Sequence, residues 1–174
     1  MIYLILDVYY KDIENQTIAN VAGIRFTGIE NNNILNEYKI IVNHVEPYQS
    51  GQFYKREMPC LLSLINQIKE PFDVIIIDGY VYLDGLEKPG LGKYLYDQLI
   101  IKKPIIGIAK TNFYGTPSEY RIYRGTSKHP LYVTCINIGI DTAKTLVQKL
   151  QGQYRIPDIV KKTDILSRET DTEQ

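Results

Sequence analysis

Tryptophan is missing altogether from the 174 residues, cysteine and methionine occur twice each, and neither sign of charge is in surplus. Each scarcity excludes something. Cys60 and Cys135 lie in apolar patterns without metal-binding or redox spacing. They read as core thiols in a reducing compartment, so the expected location is cytoplasmic. Lys plus Arg and Asp plus Glu number 20 each. That balance argues against a strongly non-specific nucleic-acid binder and leaves room for a local basic patch. No apolar run approaches membrane-spanning length. The opening "MIYLILDVYY" is broken by Asp7 and has no basic lead or small-residue cleavage site, so it reads as a first strand rather than a signal peptide.

What the chain does have is tyrosine, 15 of them, a residue that fills half-buried sheet positions and can also stack on bases. Its length suits one domain, expected over residues 1–169, with a short polar tail at 170–174. Strands are expected at Ile2–Val8, Ile18–Thr27 and Ile34–Val42, the last two separated by the turn cluster "GIENNN". "REMPCLLSLINQIKE" places Leu61, Leu62, Ile65 and Ile68 at helical spacing. A strand at Asp73–Asp78, a helix in "GLGKYLYDQLIIK" and a strand at Pro104–Lys110 follow. Shorter strands at Tyr120–Arg124 and Leu131–Thr134 precede a helix at Ile140–Leu150 and a last helical stretch after Pro157. This order predicts an α/β domain whose mixed central sheet has three antiparallel strands continued by parallel ones.

"DVIIIDG" is the most pointed local signal. Val74 to Ile77 are all β-branched, and the run ends on Asp78 and Gly79. Asp7 stands late in the first strand, which this layout sets beside the strand of Asp78. Two carboxylates at neighbouring strand ends repel unless a cation lies between them. Oxygen donors suit Mg²⁺ or Mn²⁺. An Asp before Gly is also a common turn residue, and spacing alone leaves both readings open.

Seven segments, in order, resemble the endonuclease V family. "PYQSGQFYKRE" (47–57) is similar to the family's PYIPGFLSFRE, "MPCLL" to APALL, and "DVIIIDG" to DVLLVDG. "KPGLGKYL" resembles FGLASHL, "KKPIIGIAK" resembles LPTIGVAK, "HPLYVT" resembles PVYVS, and "YRIPDIVKKTDILSRE" resembles RIPEPVRQADICSRE. The resemblance implies an RNase H-like fold and Mg²⁺-dependent cleavage of a DNA or RNA strand near inosine, with Mn²⁺ as a substitute. It carries metal-binding and catalytic roles to Asp7, Glu57, Asp78 and Asp164, and a catalytic role to Lys110. It implies a stacking wedge at Tyr48 and a base pocket that uses backbone near Gly51, Gly79 and Gly90. No membrane association and no obligate protein partner are implied.

The chain departs from the family at four places. The DGQG turn is "DGYV", the AHPR element is "YLDGLEKPG" without histidine, PYIP is "PYQS", and PGHR is replaced by "CINIG". Recognition positions have changed more than catalytic ones. Two other classes therefore stand beside an inosine-directed nuclease: a non-catalytic module that binds inosine-containing strands, and a structure-specific nuclease of the same fold. By residue type alone, Asp164 also reads as one half of a surface ion pair with Lys161 or Arg168.

Overall fold

A computed structural model describes residues 1–170, so residues 171–174 of the expected tail lie outside it. The chain builds β1 (Ile2–Ile13), β2 (Gln16–Thr27), β3 (Asn33–Val42), α1 (Phe53–Ile65), β4 (Val74–Asp78), α2 (Leu91–Gln98) and β5 (Ile105–Ala109). A 3₁₀ turn (Ser118–Tyr120), β6 (Arg121–Ile122), β7 (Leu131–Ile136), α3 (Ile140–Lys149) and α4 (Asp158–Arg168) complete it. Seven strands form one sheet in the order β3-β2-β1-β4-β5-β7-β6. The pairs β1–β2 and β2–β3 are antiparallel, β1–β4 and β4–β5 parallel, and β5–β7 antiparallel. The mixed α/β architecture expected from the sequence is thus the one observed.

Side-chain alternation along the strands splits the core in two. Tyr3, Ile5, Val74, Ile76, Ile106 and Ile108 face one layer, with Leu146 and Val147 of α3 and Ile159 and Val160 of α4. Leu4, Leu6, Ile75, Ile77 and Ile105 face the other, with Cys60, Leu61 and Leu64 of α1 and Leu91 and Leu95 of α2. The β4 core run is apolar on both faces because both are covered by helices. Cys60 is buried as expected, whereas Cys135 is only partly so. No helix among the described residues is long and apolar enough to cross a membrane.

Several boundaries differ from expectation. β1 runs five residues past Val8 because it pairs with β2 as far as Ile13↔Gln16, around a two-residue tip whose first residue, Glu14, has φ 57°. Polar residues 11, 12, 16 and 17 hid that hairpin. Asp7 consequently sits in the middle of β1, not near its end. The helix α1 starts at Phe53 and closes at Asn66, whose N–H donates to Leu62 O at 3.0 Å. Glu57 therefore lies in its second turn rather than at its start. The strand expected at Tyr120–Arg124 shrinks to Arg121–Ile122, since Ser118–Tyr120 is wound as a 3₁₀ turn.

Candidate active site

The parallel register Leu6↔Ile77 makes Asp7 and Asp78 the next facing residues on β1 and β4. Alternation turns both toward the α4 layer. There they line a small gap of about 10 Å³ with Val160 and Thr163 of α4. Lys110 follows β5 two residues beyond Ile108, the partner of Asp78, and so emerges on the same face. Its Nζ lies 3.1 Å from Asp78 Oδ2. Glu57 approaches the same rim from α1, is only 6% exposed, and feels both aspartates.

Electrostatics records the crowding. Burial, then the charge of Asp78, push the Asp7 carboxyl up to about 7, Asp164 adding to the effect while the Val8 N–H and Lys110 oppose it. Burial, then Asp7 and Asp78, push Glu57 up to about 8 against the neighbouring Arg56. Four carboxylates from β1, α1, β4 and α4 thus act on one electrostatic centre. They do not close a metal shell as they stand. Among the described residues, no three His, Cys, Asp or Glu side chains are gathered to hold an ion. Two of the four are instead held by basic side chains. Lys110 holds Asp78, and Arg168 Nε, one helical turn on, lies 3.0 Å from Asp164 Oδ1. The donor chemistry itself, carboxylate oxygen without thiol or imidazole, suits a hard divalent cation.

The turn after Asp78 is set by close backbone packing. Gly79 has φ 139°, and its N–H donates to Ile108 O at 3.0 Å. A Cβ on Gly107 would fall 2.4 Å from Gly79 O, and one on Gly90 would fall 2.8 Å from Tyr80 O. Val81 N–H donates to Thr134 Oγ1 at 2.8 Å. The turn is therefore pressed onto β5 with nothing larger than glycine beneath it.

The structure also explains two of the departures. The Tyr80 hydroxyl donates to Thr111 O at 2.7 Å and accepts the Phe113 N–H at 3.1 Å. It ties the turn after β4 to the loop after β5. In "YLDGLEKPG", Asp84 accepts the N–H groups of Leu86, Glu87 and Lys88 at 2.8–3.0 Å. These bonds hold its carboxyl at about 2.

Tyr48 is 62% exposed. It lines a cleft of about 490 Å³ with His44, Arg56 and the β1–β2 tip. Gly51 has φ 75° with open space around its Cα, so it serves the chain direction rather than packing. One residue escaped the sequence reading. Arg155 donates to the carbonyls of Lys110 and Pro130 at the rim of the centre, and only its place in the "YRIP" segment hinted at a role.

Comparison with known proteins bears on the fold and the family. The family model described as Endonuclease V matches residues 4–129. An endonuclease V from Kosmotoga olearia is 28% identical over 144 residues, covering 70% of this chain and 62% of that protein. The chain therefore spans less than two thirds of that relative's length. A crystal structure of endonuclease V from Bacillus subtilis superposes with a TM-score of 0.77 at 20% identity, over 95% of this chain and 78% of that one. The endonuclease V of Ciona intestinalis, solved with a 24mer DNA containing an inosine followed by a ribo-adenosine, gives 0.76 at 17% identity, over 96% and 84%. The fold is accordingly RNase H-like, and with well over half of its length matched by the family model, the chain belongs to the endonuclease V family.

Proposed function

We propose that this chain is a metal-dependent endonuclease that cuts a DNA or RNA strand near inosine and leaves 5′-phosphate and 3′-hydroxyl ends. The observation that carries the reading is the pair Asp7 and Asp78 on neighbouring parallel strands, with Lys110 at 3.1 Å from Asp78 and with Glu57 and Asp164 each in electrostatic reach of Asp7. These carboxylates would hold Mg²⁺, with Mn²⁺ as a substitute. A bound ion supplies Lewis-acid activation of water and charge neutralisation at the leaving oxygen. The chain's own residues do the rest. The carboxylates orient and charge the centre, Lys110 offers its ammonium to the phosphate, and Tyr48 stands exposed where it can stack against a gap left by a displaced base. Displacing a base costs a few kcal/mol, less for a weakly paired one, which favours a deaminated base. The reducing surroundings suited to two free thiols make the cytoplasm the expected compartment.

A second reading, a non-catalytic inosine-binding module, draws on Lys110 and Arg168 already holding two of the carboxylates. Cleavage of paired oligonucleotides with and without inosine, in Mg²⁺ and in EDTA, separates the two. Asp78→Asn keeps the side-chain shape and removes ligand charge, so it should slow cutting by several orders of magnitude. Undiminished cutting by that variant, or by the parent in EDTA, would sink the catalytic reading.

A further inference from the structure

We propose that Arg155 is a positioning residue for Lys110, acting through the main chain at the end of β5. Its consequence for cleavage rests on the function proposed above; its geometry rests on hydrogen bonds alone.

Arg155 stands between α3 and α4, three residues before α4 begins. One terminal nitrogen of its guanidinium donates to Lys110 O and to Pro130 O, the latter at 2.9 Å. Its Nε donates to His129 O at 3.2 Å. Among the described residues it forms no ion pair with a carboxylate. Every bond it makes is spent on main-chain carbonyls of two neighbouring strand ends. The β5–β7 ladder stops at Ala109↔Tyr132, so Lys110 has left the sheet. Its carbonyl is fixed from outside the sheet, by a side chain 45 residues further along.

Arg155 is itself held. Arg124 is 3% exposed and donates to Tyr154 O at 3.1 Å, Arg155 O at 3.3 Å and Gly152 O at 3.0 Å. Two guanidiniums in series thus run from the segment just after β6 through the loop before α4 to the backbone of Lys110. The same loop feeds the helix that carries Asp164, so the ammonium at Asp78 and the helix of Asp164 share one anchor. A lysine stem has many rotamers, and fixing its Cα is what keeps the ammonium within reach of Asp78. A guanidinium suits the task because its fork can meet several carbonyls at once, which an ammonium on a flexible stem does less well.

The test compares Arg155→Met, Arg155→Lys, Lys110→Met and the double variant Lys110→Met/Arg155→Met. Single-turnover cleavage of an inosine duplex should slow by about 10–100-fold in Arg155→Met, the usual cost of losing an outer-shell partner, with duplex Kd within about twofold. Arg155→Lys should recover part of the rate. The double variant should be no slower than Lys110→Met, because Arg155 acts through Lys110. A second readout needs no activity. In metal-free protein, acylation of the Lys110 amine by an N-hydroxysuccinimide ester, followed by mass spectrometry, should speed up several-fold in Arg155→Met while Lys93 and Lys102 stay unchanged. Multiplying losses in the double variant, or unaltered Lys110 acylation, overturns the proposal. A parent protein that cuts nothing overturns the proposed function instead, and the acylation comparison still decides on Arg155.

Discussion

Lys110 Nζ lies 3.1 Å from Asp78 Oδ2, and the two side chains are equally exposed, at 34%. A pair so open to water contributes only about 0–1 kcal/mol. Asp78 is thus paired but not locked, and a cation of higher charge would displace Lys110 at little expense.

Stability in EDTA should fall as pH rises from 5 to 8. Asp7 and Glu57 are raised to about 7 and about 8, so in this window the folded chain keeps protons that the unfolded chain has lost. A state that binds more protons loses ground as pH climbs. The contribution is complete below the ordinary carboxylate range and is lost through the raised values. A loss of even ~2 kcal/mol lowers Tm by roughly 4–8 °C in a domain of this size. Asp7→Asn or Glu57→Gln should flatten the profile and raise Tm at pH 8. A level profile for the parent would contradict the electrostatic account.

Asp164 separates two expectations by its response to metal. Its Arg168 partner is one helical turn away and mostly exposed, a pair that water and salt screen and that adds little to stability. If Asp164 also serves as a ligand, Asp164→Ala should shrink the Tm increase on adding Mn²⁺, because ligand binding stabilises by mass action. Arg168→Ala should leave that increase intact. An unaltered melting shift and full activity in Asp164→Ala would remove it from the centre.

Tyr48 makes little use of its ring within the fold, being 62% exposed. Tyr48→Ala should leave Tm within about 1 °C and weaken binding to an inosine duplex by about one to two decades, following the ~1–3 kcal/mol of a base–aromatic stack. Equal affinity of the two proteins, measured by fluorescence anisotropy, would leave Tyr48 as a mere loop residue.

Gly107 tests the turn. An added methyl group would meet Gly79 O at 2.4 Å and Val81 N at 3.0 Å, both backbone atoms that move only with the turn. Gly107→Ala should cost about 1–3 kcal/mol as overpacking and should slow cleavage by more than its stability loss explains. Normal denaturant stability would show that the turn yields freely.

The strands were legible where period and burial coincide. Val74 to Ile77 are β-branched and covered on both faces, so their pattern names both the strand and its depth. The outer half of β1 was not legible, because its pairing with β2 is set by main-chain register around Glu14–Asn15 rather than by hydrophobic alternation. Asp78 stood out because it ends an apolar run. Glu57 and Asp164 became visible only through resemblance, since a helix lends many surface acids the same local context. Arg155 shows the limit most plainly. The Asp164–Arg168 pair follows from helical spacing, but Arg155 reaches a carbonyl 45 residues away, a relation that leaves no trace in local spacing.

The Tyr80 hydroxyl, bonded to both Thr111 and Phe113, has a consequence for anyone exchanging parts between relatives. The two loops it joins are separated in sequence by a helix and a strand, yet they should transplant as one unit. A DGQG turn grafted alone onto this chain removes the acceptor of the Phe113 N–H and the donor to Thr111 O. A chimaera that carries residues 79–81 and 111–113 together keeps each loop with the partner it was shaped against.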